Sequence, residues 1–191
     1  MSHHGILVVY GSNYGQTAKI ALRIADRLRQ QSAWEVTVLC GDELPLGLAV
    51  DEYDGVVVGA SVRLGRHQEY MKSFVREHGR ELAAMPAVFF SVSGSAAGKS
   101  RKERREADDA VSRFLAATDW RAFEVATFGG AIAYTKYDFL TRWMMRSLAR
   151  RKGVSTDTSR DHELTDWQAV DRFADRFLTL LPRRAKMAKA G

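Results

Sequence analysis

The stretch ILVVYGSNYGQTAKIALRIADRL, residues 6–28, joins a strand pattern, a polar loop and a helix pattern without interruption. Residues 6–10 are a run of β-branched and other large apolar side chains, which is typical of a buried strand. Residues 20–28 repeat apolar side chains at helical spacing, which predicts an amphipathic helix. Between them lies a loop of hydroxyl, amide and glycine residues, Ser12-Asn13-Tyr14-Gly15-Gln16-Thr17.

A loop of this composition at the start of a helix is suited to bind a phosphate group. Main-chain N–H groups and the helix dipole attract an anion, Gly15 allows close approach, and the hydroxyls of Ser12 and Thr17 can donate to phosphate oxygens. Neither the dinucleotide pattern G-x-G-x-x-G nor the triphosphate pattern G-x-x-x-x-G-K-S/T is present, since Gly11 is followed by Gly15 and then Gln16. A single phosphomonoester fits better. On these residues alone, a plain helix N-cap remains the alternative.

Continuous apolar runs alternate with helical periodicity along the 191 residues. The predicted strands are residues 6–10, 35–39, 55–58, 87–92 and 125–128. Strands that alternate with helices form a parallel sheet through right-handed crossovers, with helices on both faces and ligands beyond the carboxyl ends of the strands. We therefore predict an α/β fold, a five-stranded doubly wound sheet in a single domain of residues 1–181, followed by a disordered tail of residues 182–191.

Two further loops of small residues lie on the same predicted edge of the sheet. Their residues are Ala60, Ser61, Val62, Arg63, Leu64 and Gly65 after strand three, and Ser91, Val92, Ser93 and Gly94 at the end of strand four. Together with residues 12–17 they resemble the three loops by which the flavodoxin family binds FMN. The resemblance implies that residues 12–17 hold the FMN phosphate and that the other two loops flank the ring. A receiver domain, which shares the strand order, needs an aspartate where strand three here ends in Gly59 and Ala60.

Charge and composition limit the possible function classes. The net charge of +6 and the pI near 9.6 favour anionic partners. No run of about 18 apolar residues is present and no leader precedes the first strand, so we expect a cytoplasmic protein. The single cysteine, Cys40, argues against a disulfide or a cysteine-based zinc site, and we predict no metal. We also predict no nucleic acid partner, because no binding motif accompanies the basic residues.

Residues 132–166 are a long basic segment between the fifth strand and the last helix, where a plain fold needs only a short connection. Residues 136–152 carry six basic side chains and one acidic side chain, which gives +5 of the net +6. Trp143 belongs to an apolar helical face, and Arg142, Arg146 and Arg150 form a stripe on another face. These four residues predict contact with an anionic membrane surface. Packing of the apolar face on the protein's own sheet is the open alternative.

The chain as a whole resembles the menaquinone-dependent protoporphyrinogen IX dehydrogenase family of flavodoxin-like bacterial enzymes. The similar blocks are ILVVYGSNYGQT, VVVGASVRLGRHQEYMKSFVREH, MPAVFFSVS, GGAIAYTKYDFLTRWMMRSLARRKG and TDTSRDHELTDW. The resemblance implies FMN-dependent oxidation of protoporphyrinogen IX in haem biosynthesis, with menaquinone or ubiquinone as acceptor and peripheral association with the inner face of the cell membrane. A flavodoxin-type electron carrier and an NAD(P)H or quinone reductase on the same fold are the alternatives.

Candidate substrate residues follow the third strand. Protoporphyrinogen carries two propionates, and Arg63, Arg66 and His67 are the predicted contacts for them. His67 and Tyr134 are the candidates for a catalytic acid or base. Hydride transfer to a flavin requires correct placement more than a dedicated proton carrier, so the sequence identifies no catalytic base.

Overall fold

Parallel strands form the central sheet of the protein, whose computed structural model describes residues 5–132 and 162–182. The strands are β1 (Gly5–Gly11), β2 (Glu35–Cys40), β3 (Gly55–Arg63), a short β4 (Arg66–His67), β5 (Ala87–Ser93) and β6 (Val125–Gly129). The parallel order is β2-β1-β3-β5-β6, and β4 is antiparallel to β3. The central strands are buried on both faces, which explains their continuous apolar runs. The predicted five-stranded parallel sheet is confirmed.

Helices cover both faces of this sheet. They are α1 (Gln16–Gln31), α2 (Glu69–Glu77), α3 (Gly79–Ala84), α4 (Arg101–Thr118) and α5 (Trp167–Leu180). One core cluster joins α1 and α5 to the sheet and includes Ile20, Ile24, Leu28, Phe173 and Phe177. A second cluster on the opposite face joins α2, α3 and α4 and includes Met71, Phe74, Leu82 and Phe114. The doubly wound arrangement therefore follows the apolar faces that the sequence predicts.

The third strand is longer than predicted. Residues 60–63, expected in a loop, continue β3 and form a tight hairpin with β4, in which Val62 lies opposite His67. The turn consists of Leu64 (φ 50°) and Gly65 (φ 74°). Two consecutive left-handed residues match the right-handed twist of the flanking strands, so a two-residue turn closes the hairpin. Small residues at the end of an apolar run did not mark the strand's end.

A single helical periodicity between residues 71 and 82 contains two helices. The backbone at His78 leaves helical values (φ −107°, ψ 22°), and α3 begins at Gly79. Met71 and Leu82 nevertheless bury against the same core cluster. Because both helices face that cluster, the apolar spacing continues across the break.

The two ends of the long segment after β6 lie side by side. Strands β7 (Ala131–Ile132) and β8 (His162–Glu163) pair in antiparallel fashion, with Ala131 opposite Glu163. Most of the predicted basic segment and of the predicted tail lies outside the described residues. Within residues 5–132 and 162–182, no helix has the length and apolar character needed to cross a membrane.

Candidate flavin site

The phosphate loop, residues 12–17, leads into α1, and the N-terminus of this helix has no side-chain cap. Gly15 is the N-cap of α1 in a left-handed conformation (φ 95°), which favours glycine. No side chain accepts a capping hydrogen bond there, and the first turn of α1 contains no acidic residue. The first N–H groups of a helix carry partial positive charge and need acceptors. This helix end therefore fits an anionic ligand.

Two serine hydroxyls brace the phosphate loop. The Gly15 N–H donates to Ser12 Oγ at 2.9 Å, and the Asn13 N–H donates to Ser61 Oγ at 3.3 Å. The Gln68 side-chain amide also donates to Ser61 Oγ, at 2.5 Å. Within residues 5–132 and 162–182, neither hydroxyl donates a hydrogen bond of its own, so each retains a proton for a ligand. The first two predicted loops are thus directly joined.

Thr17 and Gln16 have different surroundings at the first turn of α1. Thr17 is only 1% exposed, and its hydroxyl makes no hydrogen bond to any described part of the chain. A buried hydroxyl without a partner is costly, and a phosphate oxygen would satisfy it. The Gln16 side chain instead donates to Thr165 Oγ1 at 2.8 Å. Its predicted contribution to the phosphate site therefore rests on its main chain.

The hairpin of β3 and β4 forms the second side of the site. The Arg63 guanidinium carbon lies 5.8 Å from the centre of the Tyr14 ring, so these two predicted residues are brought together. Arg113 donates to the Gly65 carbonyl at 3.1 Å and holds the turn against α4. The Leu64 side chain is 86% exposed at the tip, and Ala60 is completely buried in the core.

The third segment, residues 91–94, presents mainly its main-chain atoms at this edge of the sheet. Ser91 is 1% exposed, and Val92 belongs to the core cluster beneath α1 and α5. Ser93 Oγ accepts the Ala96 N–H at 3.1 Å, and the Ser93 carbonyl accepts the Gly130 N–H at 3.0 Å. Because the side chains of Ser91 and Val92 are buried, the predicted cofactor contacts of these two residues would be made by their main chain.

His67 is buried, and its predicted role at the substrate is not supported. It is 6% exposed, its Nε2 lies 2.9 Å from Ser91 Oγ, and its ring meets Phe89 and Phe114 edge-on. Burial lowers the pKa of His67 to about 4, and the positive charges of Lys72 and Arg113 contribute. A neutral imidazole packed between aromatic rings cannot pair with a propionate.

The remaining predicted residues of the site lie outside the described chain. They are Tyr134, Arg142, Trp143, Arg146 and Arg150. In the described part, no group of three or more His, Cys, Asp or Glu side chains is placed to hold a metal ion.

Three residues of the site escaped sequence reasoning. Gln68 binds Ser61, and Thr165 binds Gln16. Tyr70 lies close to Ser12, and burial is the main cause that raises the pKa of Tyr70 to about 12. Thr165 belongs to the LTDW sequence already noted for its family resemblance, but nothing in its spacing indicates that it reaches the phosphate loop.

Comparison with known proteins agrees with this geometry. The flavodoxin domain family matches residues 7–159. Protoporphyrinogen IX dehydrogenase (quinone) of Escherichia coli strain K12 is 31% identical over 169 residues, which cover 88% of this chain and 91% of that protein. The chain belongs to this family of flavodoxin-like dehydrogenases. The Leishmania major protein of the same name is 32% identical over 187 residues and covers 94% of this chain and 78% of its own length.

Membership of the flavodoxin-like family indicates a flavin cofactor, and the residues fit one. Oxidised flavodoxin 1 of Bacillus cereus shares the fold, with a TM-score of 0.54 at 14% identity over 93% of this chain and 99% of that one. The uncapped start of α1 and the Thr17 hydroxyl, which has no partner within residues 5–132 and 162–182, provide donors for a phosphate. The hairpin and residues 91–94 border the same edge of the sheet.

Proposed function

We propose that this protein oxidises protoporphyrinogen IX to protoporphyrin IX with FMN as cofactor and a membrane quinone as electron acceptor. The similarity to dehydrogenases of that name, which extends over 88% and 94% of the chain, carries this proposal. The flavodoxin domain match over residues 7–159 includes the phosphate loop and the hairpin. The enzyme would act in haem biosynthesis and use menaquinone or ubiquinone.

FMN is the flavin that the site favours. The phosphate loop offers donors for one phosphate, and the dinucleotide glycine pattern is missing. Ser12, Ser61 and Thr17 each have a hydroxyl proton that no described atom accepts. A flavin held at this site would supply a two-electron acceptor for the substrate and a donor to the quinone. The chain's own part is to hold the cofactor by its phosphate and to leave the ring accessible.

Arg63 and Arg66 are the proposed contacts for the propionates. They lie opposite each other at the end of the hairpin, next to the phosphate loop. A guanidinium binds a carboxylate through two parallel hydrogen bonds, so a pair of arginines suits a substrate with two propionates. The exposed Leu64 between them offers apolar contact to the tetrapyrrole. His67 has no part in this proposal, because its side chain is buried against Phe89 and Phe114.

Contact with the inner face of the cell membrane is also part of the proposal. A quinone resides in the bilayer, so an enzyme that reduces it must reach the membrane surface. The concentration of basic residues between 136 and 152, including Arg142, Arg146 and Arg150, supports attraction to anionic lipid. Trp143 adds a side chain that is common at membrane interfaces.

Anaerobic mixing tests the function directly. FMN-loaded protein is combined with protoporphyrinogen IX and a menaquinone analogue, and porphyrin fluorescence is followed over time. We expect fluorescence to rise only when protein and quinone are both present. Omission of each component and addition of heat-inactivated protein control for spontaneous oxidation. Reduction of the flavin by NADH but not by porphyrinogen would favour a quinone reductase and reject the proposal.

A further inference from the structure

Thr165 links the end of the sheet to the phosphate loop. Its Oγ1 donates to the Gly129 carbonyl at 2.7 Å and accepts a hydrogen bond from Gln16 Nε2 at 2.8 Å. Gln16 is only 7% exposed and is the first residue of α1. A hydrogen-bonded chain therefore runs from β6 through Thr165 to the turn that carries the phosphate donors.

The direction of these hydrogen bonds fixes the orientation of Gln16. A hydroxyl has one proton, and that of Thr165 is used on Gly129. Toward Gln16, Thr165 can therefore only accept. If the amide of Gln16 were reversed, its oxygen would face an oxygen without a proton, which is repulsive. The amide nitrogen is held toward Thr165 for this reason.

Thr165 itself is held on a rigid support. The neighbouring Leu164 N–H donates to the Gly130 carbonyl at 3.0 Å. A side chain at Gly129 would collide with the Leu164 carbonyl, so the segment packs directly on the end of β6. On its other side, Asp166 caps α5 by accepting the Ala169 N–H at 3.0 Å.

Two ion pairs keep α1 and α5 together independently of Thr165. Arg23 binds Asp171 through two hydrogen bonds of 2.8 and 2.7 Å, and Arg27 binds Asp175 through two of 2.8 Å. The loss of the Thr165 hydroxyl should therefore leave the packing of α5 in place. Its effect should be confined to Gln16 and the first turn of α1.

We propose that Thr165 is a positioning residue for the flavin phosphate. By holding Gln16 it holds the first turn of α1, and the main-chain N–H groups of the phosphate loop keep the directions that converge on a phosphate. This inference rests on the proposed function, because it assumes that the cofactor is FMN bound at this loop. Donors that are fixed before binding lose less entropy when the ligand arrives, and this is the source of the expected effect.

The test compares two flavins that differ only in the phosphate. Thr165→Val keeps the shape of the side chain and removes both hydrogen bonds. We expect its dissociation constant for FMN to rise about three- to tenfold, with that for riboflavin unchanged. Thr165→Ser, which retains the hydroxyl, should restore FMN binding. Affinities are measured by quenching of flavin fluorescence with flavin-depleted protein.

Thr179→Val is the matched control, in α5, the helix that follows Thr165 in the chain. The Thr179 hydroxyl is exposed and donates to the Arg176 carbonyl at 2.7 Å, far along α5 from the phosphate loop. Its loss should change neither affinity. Thermal unfolding of the flavin-free variants checks that each is folded.

A double variant tests whether Thr165 acts through Gln16. Gln16→Met removes the amide at similar length, and the addition of Thr165→Val should then cause no further loss of FMN affinity. Additive losses would overturn the inference, as would a Thr165→Val variant that keeps the parent's preference for FMN or loses both flavins equally. If the parent itself binds FMN no better than riboflavin, the phosphate site and this inference both fail, and that result appears before any substitution is made.

Discussion

Helices α1 and α4 both begin at the carboxyl edge of the sheet, but their first turns are satisfied in different ways. At α4, Ser100 Oγ accepts the Glu103 N–H at 3.2 Å, and the Glu103 carboxylate returns to the Ser100 N–H at 3.2 Å, which completes a capping box. At α1, Gly15 provides no side chain, and no acid occupies the first turn. A helix that caps itself is stabilised by its own residues, whereas the start of α1 retains donors for a ligand.

Gly15→Val should cause the largest loss of FMN binding at the start of α1. Gly15 has φ 95°, and a β-branched residue there is strained and blocks close approach of a phosphate. We expect the dissociation constant for FMN to rise about a hundredfold, which corresponds to about 2.7 kcal/mol. Gly47→Val is the control, because Gly47 also has positive φ (72°) but has no neighbour within 4 Å. It should lower stability without altering FMN affinity; equal FMN loss in both variants would contradict the site.

Acid should weaken the packing beneath α4. His67 contacts Phe114 of α4, and its pKa is lowered to about 4, while the unfolded chain takes up the proton near pH 6.5. The neutral form therefore stabilises the fold fully above pH 6.5, and this contribution is lost as the pH falls to about 4. We expect roughly 2 to 3 kcal/mol of unfolding free energy to disappear between pH 7 and pH 4.5.

His67→Gln is the variant that isolates this effect. Denaturant unfolding of parent and variant at pH 7 and pH 4.5 cancels the contribution of carboxylates that titrate in both proteins. We expect the variant to lose less stability than the parent over this interval. Equal losses would mean that His67 carries its proton in the folded protein.

Thr17→Val should lower FMN affinity without lowering the stability of the flavin-free protein. Thr17 is almost completely buried, and its hydroxyl has no partner among the described residues. Removal of a hydroxyl that binds a charged phosphate should lower FMN affinity about tenfold and leave riboflavin affinity unchanged. Flavin-free protein should melt at the same temperature or higher, because an unsatisfied polar group is replaced by a methyl group. A lower melting temperature would indicate a hidden structural partner.

Ser100→Ala should produce the smallest change. It should affect the stability of α4 and leave the start of α1 as it is. Loss of the capping box should lower the free energy of unfolding by about 1 kcal/mol. FMN affinity should stay at the parent's value, since α4 is satisfied by its own residues. Chemical denaturation and flavin titration measure the two quantities. A clear loss of FMN affinity would show that the start of α4 contributes to the cofactor site.

Sequence patterns alone establish the α/β class, the five parallel strands and the family. Apolar runs of strand length and helical periodicity arise from local geometry and burial, so they can be read without knowing which elements meet. The phosphate loop is equally local, because Gly15 and Thr17 lie within one turn of each other. Prediction of the hairpin failed because small residues after an apolar run fit a loop and a strand equally well.

The burial and hydrogen-bond partners of His67, Gln16 and Thr165 follow only from the tertiary structure. His67 looked available in sequence, next to two arginines, but α4 covers it and Ser91 takes its hydrogen bond. Gln16 and Thr165 are 149 residues apart, and no local pattern indicates that they touch. Side-chain direction and burial depend on elements distant in the chain, so they are fixed only when the sheet, α4 and α5 come together.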